Sequence, residues 1–211
     1  MSNLSVLSAG FQFPILLMIA MTVVCSSSSA QLENGQKIVF LGDSITAAGA
    51  RENGYITLFT AELNKVRPDS GIEVIGAGIG GHRVPDLEAR LDRDVLSHSP
   101  DWVVIYIGIN DVWHSIRDRG TPADAYEQGL KNLISRCREK DAGVILCTPS
   151  VIGEKTDGSN QLDELLDRYC EISRQVAAET ETPMLDLRKH FLAYLNEYNT
   201  ANAEKGILTS D

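Results

Sequence analysis

Ser44, the glycine-rich run Gly76 to Gly81 and Asn110 are the residues of this chain whose types suit acyl transfer. A serine hydroxyl attacks a carbonyl carbon once a base takes its proton. Gly80 and Gly81 can present backbone N–H groups free of side-chain obstruction, and the Asn110 carboxamide adds an N–H₂ donor. Two or three donors around a serine would hold the oxyanion that develops during attack. Losing one such donor typically costs roughly 10²–10³ in rate. Each segment alone is ordinary, since Gly, Asp and Ser are common in strand-to-helix loops. The chemistry therefore depends on whether the fold brings the three together.

The elements that must position them alternate between strand and helix. Ile38 to Leu41 is a short apolar run, read as a buried parallel strand that ends in Gly42-Asp43-Ser44, with an amphipathic helix after it. Ile56, Phe59, Leu63 and Val66 recur at helical spacing, and Pro68 marks the stop. Ile72 to Ile75 predicts a strand leading into the Gly76 to Gly81 loop. Val84, Leu87, Leu91 and Val95 predict the next helix, with Pro85 and Asp86 suiting its first turn. Trp102 to Ile107 is a clear strand that ends in Gly108-Ile109-Asn110-Asp111. Thr121 as a cap, with Pro122 and Asp124 behind it, predicts a helix whose inner face is Tyr126, Leu130, Leu133, Ile134 and Cys137. Val144 to Cys147 predicts a fourth strand, Leu162 to Val176 a helical stripe, Pro183 to Leu187 a short strand, and Phe191, Leu195 and Tyr198 a last helix. Such alternation implies one three-layer α/β/α domain over residues 31–211, built on about five parallel strands. All strand-to-helix loops of a parallel sheet share one edge, where open α/β sheets place their ligands. Ser44, the glycine run and Asn110 are thus expected to converge.

The 211 residues carry a net charge of −10, which disfavours nucleic acid and anionic membrane as partners. Residues 1 to 30 contain no Asp, Glu, Lys or Arg. Phe13 to Val24 is apolar but short for a membrane span. Cys25, four serines and Ala30 follow it. Ser28-Ser29-Ala30 has the small-x-small pattern of a signal-peptidase site, so residues 1–30 read as a secretory signal cleaved after Ala30. The mature protein is expected to be secreted or periplasmic, without an integral membrane span. A lipid anchor on Cys25 ranks lower, because Val24 is bulky for that processing. Cys137, Cys147 and Cys170 remain after cleavage and are expected as buried free thiols. No cysteine–histidine spacing suggests a metal, and no cofactor is expected.

Lys37 to Thr46, KIVFLGDSIT, resembles the first block of the GDSL/SGNH hydrolase family. Gly76 to Gly81 resembles its second block, with Gly81 at the oxyanion-hole glycine. Gly108 to Asp111, GIND, resembles its third block, GxND, with Asn110 as the second donor. The resemblance extends over Lys37 to Asp211. It implies a flavodoxin-like fold and a serine hydrolase that cleaves ester bonds of small acyl groups, as a carbohydrate acetylesterase or a lipase/esterase. Ser44 would be the nucleophile, and Ser44, Gly81 and Asn110 the oxyanion hole. The family's last block is Asp-x-x-His, whose histidine is the base and whose aspartate orients it. Gly206 to Asp211, GILTSD, resembles the approach to that block, with Asp211 at the aspartate. The histidine would fall three positions after Asp211, so the chain reads as a fragment with little or no esterase activity by itself.

Asp43, His82, Asp111 and Trp113 flank these blocks and are candidates for substrate contact, against plainer roles in turns, braces, solvated loops or packing. His98, His114 and His190 read as surface or packing residues. The polar loop Glu154 to Asn160 follows the fourth strand onto the same edge, where it is expected to shape specificity. Two other functions compete. Gly76, Gly78 and Gly81 fit the dinucleotide fingerprint G-x-G-x-x-G. That motif wants an acid at the end of the following strand, and Asp101 precedes its strand. The other rival is a non-catalytic carbohydrate-binding module on the same scaffold. The joint presence of Ser44, the glycine run and Asn110 favours chemistry over both.

Overall fold

A computed structural model describes residues 32–209. The expected signal over residues 1–30 and the candidate Asp211 lie outside the described residues. Five parallel strands form one sheet: β1 (Lys37–Gly42), β2 (Glu73–Gly78), β3 (Trp102–Tyr106), β4 (Gly143–Cys147) and β5 (Met184–Leu185), in the order β2-β1-β3-β4-β5. The register matters for function. Gly42 pairs with Gly78 on one side and with Tyr106 on the other, so β1, β2 and β3 end level. The loops that follow these three neighbouring strands leave the sheet side by side.

Alternation along each strand sends side chains to both faces, and both faces are covered. Val39, Leu41, Val103 and Ile105 pack with Leu87, Leu91, Leu130, Leu133 and Leu166. These come from α3 (Val84–Asp94), α5 (Ala123–Arg138) and α6 (Asp163–Glu179). Ile38, Phe40, Val104 and Tyr106 pack on the other face with Ile56, Phe59, Leu63 and Leu187. These belong to α2 (Tyr55–Val66) and α7 (Leu187–Tyr198). Each such side chain contributes roughly 1.5–3 kcal/mol on burial, so the two clusters hold the sheet rigid beneath its loops. Cys137, Cys147 and Cys170 are buried and free, and burial pushes each thiol up to about 12.

Five local expectations change. The segment after β1 is two helices, because α1 (Ser44–Gly49) stops and α2 starts afresh at Tyr55. Gly54 supplies the break, with extended backbone and a carbonyl that accepts from the Thr57 hydroxyl at 2.8 Å. Gly76 to Gly78 belong to β2 and not to a loop. Thr121 does not cap α5. Its N–H donates to the Asp111 carbonyl at 3.1 Å, and Pro122 takes the cap position. β5 is only two residues long, with Leu187 already in α7. Val66, placed by its spacing on the inner face of α2, is exposed near the helix end.

Candidate active site

Ser44 is the first residue of α1 and is exposed at the edge where β1 ends. Asp43 caps this helix, its Oδ1 accepting from the Ile45 N–H at 2.9 Å. β2 holds α1 close. A Cβ on Gly78 would collide with the Ala47 nitrogen, so only glycine lets the helix sit on the strand end. The chain then turns beside the serine. Ile79 N–H donates to the Gly42 carbonyl at 3.2 Å. A Cβ built on Gly80 would stand 3.9 Å from Ser44 Cβ. Gly81 has φ +78° with open space around it, a left-handed conformation that glycine adopts freely.

Asn110 lies in α4 (Ile109–Trp113), directly after β3. Its Nδ2 donates to the His82 carbonyl at 3.0 Å and faces Asp43 Oδ2 at 3.4 Å. One carboxamide thus ties together the residue before Ser44, the residue after Gly81 and the third loop. The expected convergence on one edge is present. Asp43 and Asp111, the two acidic candidates for substrate contact, are buried, each only 1% exposed. Asp111 Oδ1 accepts from the Val84 N–H at 3.0 Å and joins α4 to the start of α3. Burial pushes both carboxyls up to about 6, against the N–H bonds that favour their charged forms, and for Asp43 the nearby Asp111 adds to the rise.

Comparison with known proteins decides the family. The model of the GDSL-like Lipase/Acylhydrolase family matches residues 40–206. The chain belongs to this family. It is 34% identical over 179 residues to an acetylxylan esterase of Geobacillus stearothermophilus, covering 76% of this chain and 80% of that one. It is 34% identical over 131 residues to a probable rhamnogalacturonan acetylesterase of Bacillus subtilis (strain 168), covering 60% of this chain and 59% of that one. The crystal structure of the acetyl xylan esterase AlAXEase superposes with a TM-score of 0.80 at 45% identity, covering 83% of this chain and 89% of that one. Solved structures of Axe2, an acetylxylan esterase from Geobacillus stearothermophilus, match with TM-scores of 0.71–0.72 at 28–30% identity, covering 83% of this chain and 89% of that one, and include catalytic mutants of a serine, an aspartate and a histidine, the histidine three residues after the aspartate.

In this GDSL-like chain the histidines are not equivalent. His82 follows Gly81 and is half-buried. Arg90, on the buried side of α3, donates its Nε to His82 Nδ1 at 3.1 Å, its Nη2 to the Gly42 carbonyl at 2.8 Å and its Nη1 to Asp94 at 3.1 Å. A ring nitrogen that accepts carries no proton, so neutral His82 keeps its hydrogen on Nε2. Burial and the Arg90 charge hold its pKa below the ordinary value. His82 therefore offers a donor at the edge. His98 precedes β3, at the opposite edge of the sheet, and His190 lies on α7. His114 follows α4, where burial and Arg83 keep its pKa low. Among the described residues nothing hydrogen-bonds the Ser44 hydroxyl. Sequence reasoning missed Arg90, although an arginine one residue from Leu91 on a buried stripe was a signal.

Trp113, at the end of α4, is 47% exposed. Its indole is free to meet a ligand near the third loop. The loop after β4 holds the chain's C-terminal segment. Glu154 accepts hydrogen bonds from the N–H groups of Ile207, Leu208 and Thr209. Among the described residues no three His, Cys, Asp or Glu side chains cluster as metal ligands, and no helix is long and apolar enough to cross a membrane.

Proposed function

We propose that this protein is a secreted serine esterase that removes small acyl groups, acetyl foremost, from carbohydrate hydroxyls. The observation that carries the reading is the adjacency of Ser44, Gly81 and Asn110 at the level ends of three neighbouring strands, tied by the Asn110 carboxamide. The acetylesterase names of the relatives support the substrate class.

Ser44 Oγ attacks the acyl carbon while its proton passes to an imidazole. The carbonyl oxygen becomes an oxyanion and accepts from the Ser44 N–H, the Gly81 N–H and Asn110 Nδ2. The N–H that Asn110 turns toward Asp43 makes a long contact of 3.4 Å. A bond that long is weak, so an oxyanion at ordinary hydrogen-bond distance competes well for this N–H. The ester C–O bond then breaks, and the sugar oxygen takes the proton from the imidazolium. Water, deprotonated by the same imidazole, releases the acid from the acyl-serine.

The imidazole is read as the histidine three residues past Asp211, with Asp211 as its orienting carboxylate. His82 is unsuited, since Arg90 occupies its free lone pair. The mature enzyme is read as exported, with the leader 1–30 as the signal.

The deciding experiment is hydrolysis of p-nitrophenyl acetate and of acetylated xylo-oligosaccharides, paired with fluorophosphonate labelling. The full-length protein is expected to turn over both esters and to label at Ser44. S44A is expected to do neither. A polypeptide stopping at Asp211 is expected to hydrolyse far more slowly than one carrying the imidazole. Labelling that persists in S44A, or no preference for acetyl over longer acyl chains, counts against the reading.

A further inference from the structure

We propose that Glu154 is a positioning residue for catalysis: its carboxylate fixes residues 207–209, the segment that leads into Asp211. The proposal rests on the reading of Asp211 as the residue that orients the base. Glu154 touches no substrate. It is fully buried on the loop after β4. Its Oε2 accepts from Ile207 N–H at 2.7 Å. Its Oε1 accepts from Leu208 N–H at 2.8 Å, from Thr209 N–H, and from the Thr209 hydroxyl at 2.8 Å. The backbone joins in: Glu154 N–H donates to the Glu204 carbonyl at 2.9 Å, and Asn199 Nδ2 donates to the Glu154 carbonyl at 2.6 Å. Thr156 N–H and Asp157 both bond the Asn202 side chain at 2.7 Å.

Residues 199–209 form no helix or strand. Three consecutive N–H groups of this segment, at 207 to 209, end on one carboxylate. Burying a carboxylate is costly unless donors surround it. Here the donors win: burial alone would raise the Glu154 pKa, yet the bonds from Ile207, Leu208 and Thr209 hold it below the ordinary value. A buried acid so completely committed to one stretch of main chain acts as a clamp on it. Thr209 is the last clamped residue, two positions before Asp211. Displacing a catalytic group by about 1 Å can cost on the order of 10² in rate.

The test is E154Q in the full-length protein, which sets an amide N–H₂ against main-chain donors. Amide hydrogen exchange at residues 207–209, kcat and KM on p-nitrophenyl acetate, and the melting temperature are read together. Exchange at 207–209 is expected to quicken by roughly 10-fold or more. The kcat is expected to fall about 10- to 100-fold with KM within about two-fold. T209V, which removes only the hydroxyl bond, is expected to shift both in the same direction by a smaller factor, and it serves if E154Q does not fold. Unchanged exchange in both variants overturns the clamp. Quickened exchange with unchanged kcat overturns the positioning role. D211N separates the premises: if its kcat matches wild type while E154Q still quickens exchange, the reading of Asp211 has failed and takes the proposal with it.

Discussion

Arg90 Nε donates to His82 Nδ1 across 3.1 Å, and that bond decides which nitrogen of the imidazole carries the proton. The same guanidinium holds the Gly42 carbonyl at the end of β1 and reaches Asp94. Arg90 thus couples the strand that ends before Ser44 to the residue that follows Gly81. R90M keeps the length of the side chain and removes its charge. The Gly42 carbonyl then keeps only the Ile79 N–H, so stability should drop by about 1 kcal/mol. With the neighbouring cation gone, the His82 pKa should rise toward its ordinary value. Thermal melting and NMR titration of the His82 ring check both parts, and a His82 pKa that stays put would refute the link.

The Asn110 carboxamide has two tasks, one structural and one chemical. It bonds the His82 carbonyl at 3.0 Å, and it is read as an oxyanion donor. N110A should therefore lower kcat by roughly 10²–10³ with a small change in KM, as expected for a donor used in the transition state. It should also cost about 1 kcal/mol of stability from the lost brace. Steady-state kinetics beside a urea melt distinguish the two. A large KM change at constant kcat would assign Asn110 to substrate binding instead.

The buried acids give a pH signature of known sign. The carboxyls of Asp43 and Asp111 sit near 6 in the fold, above their ordinary 3.8. Between those values the native state holds more protons than the unfolded state, so this pair makes stability fall as pH rises and adds nothing further above about 6. D111N keeps an acceptor for the Val84 N–H and removes one titration. Its stability relative to wild type should improve by on the order of 2–3 kcal/mol between pH 4 and pH 7.5. Urea melts at both pH values give that difference directly. Parallel wild-type and D111N curves would show that Asp111 titrates normally.

Much of this was legible in the sequence, for physical reasons that differ by residue. The strands up to β4 announce themselves as apolar runs, because a parallel sheet covered on both faces leaves them no polar side. Ser44, Gly81 and Asn110 could be placed on one edge because parallel topology forces it. Asp43 and Asp111 were harder. An acid beside a motif looks available, and only packing reveals that it is buried and spent on an N–H of Ile45 or Val84. The Glu154 clamp left no local trace, since its partners lie 53 to 55 residues away and obey no period. Gly76 and Gly78 look like loop residues, yet they are strand residues: a Cβ on Gly78 would strike α1 at Ala47, and one on Gly76 would crowd Ala50 just past that helix.

Trp113 tests the sugar part of the reading separately from the ester part. Its indole is half exposed at the end of α4, three residues from Asn110. Aromatic rings present broad apolar faces, and a pyranose can lie against one. p-Nitrophenyl acetate has no sugar to stack. W113A should therefore raise KM for acetylated xylo-oligosaccharides by about 10-fold, equivalent to roughly 1.4 kcal/mol, while leaving p-nitrophenyl acetate kinetics within about two-fold. Stability should change by only about 0.5 kcal/mol, because so exposed a side chain has little packing to lose. Kinetics on the two substrates in parallel, with a melting curve as control, measure all three. Equal losses on both esters would mean that Trp113 shapes the catalytic loop, and the carbohydrate contact would have to be sought elsewhere along the edge.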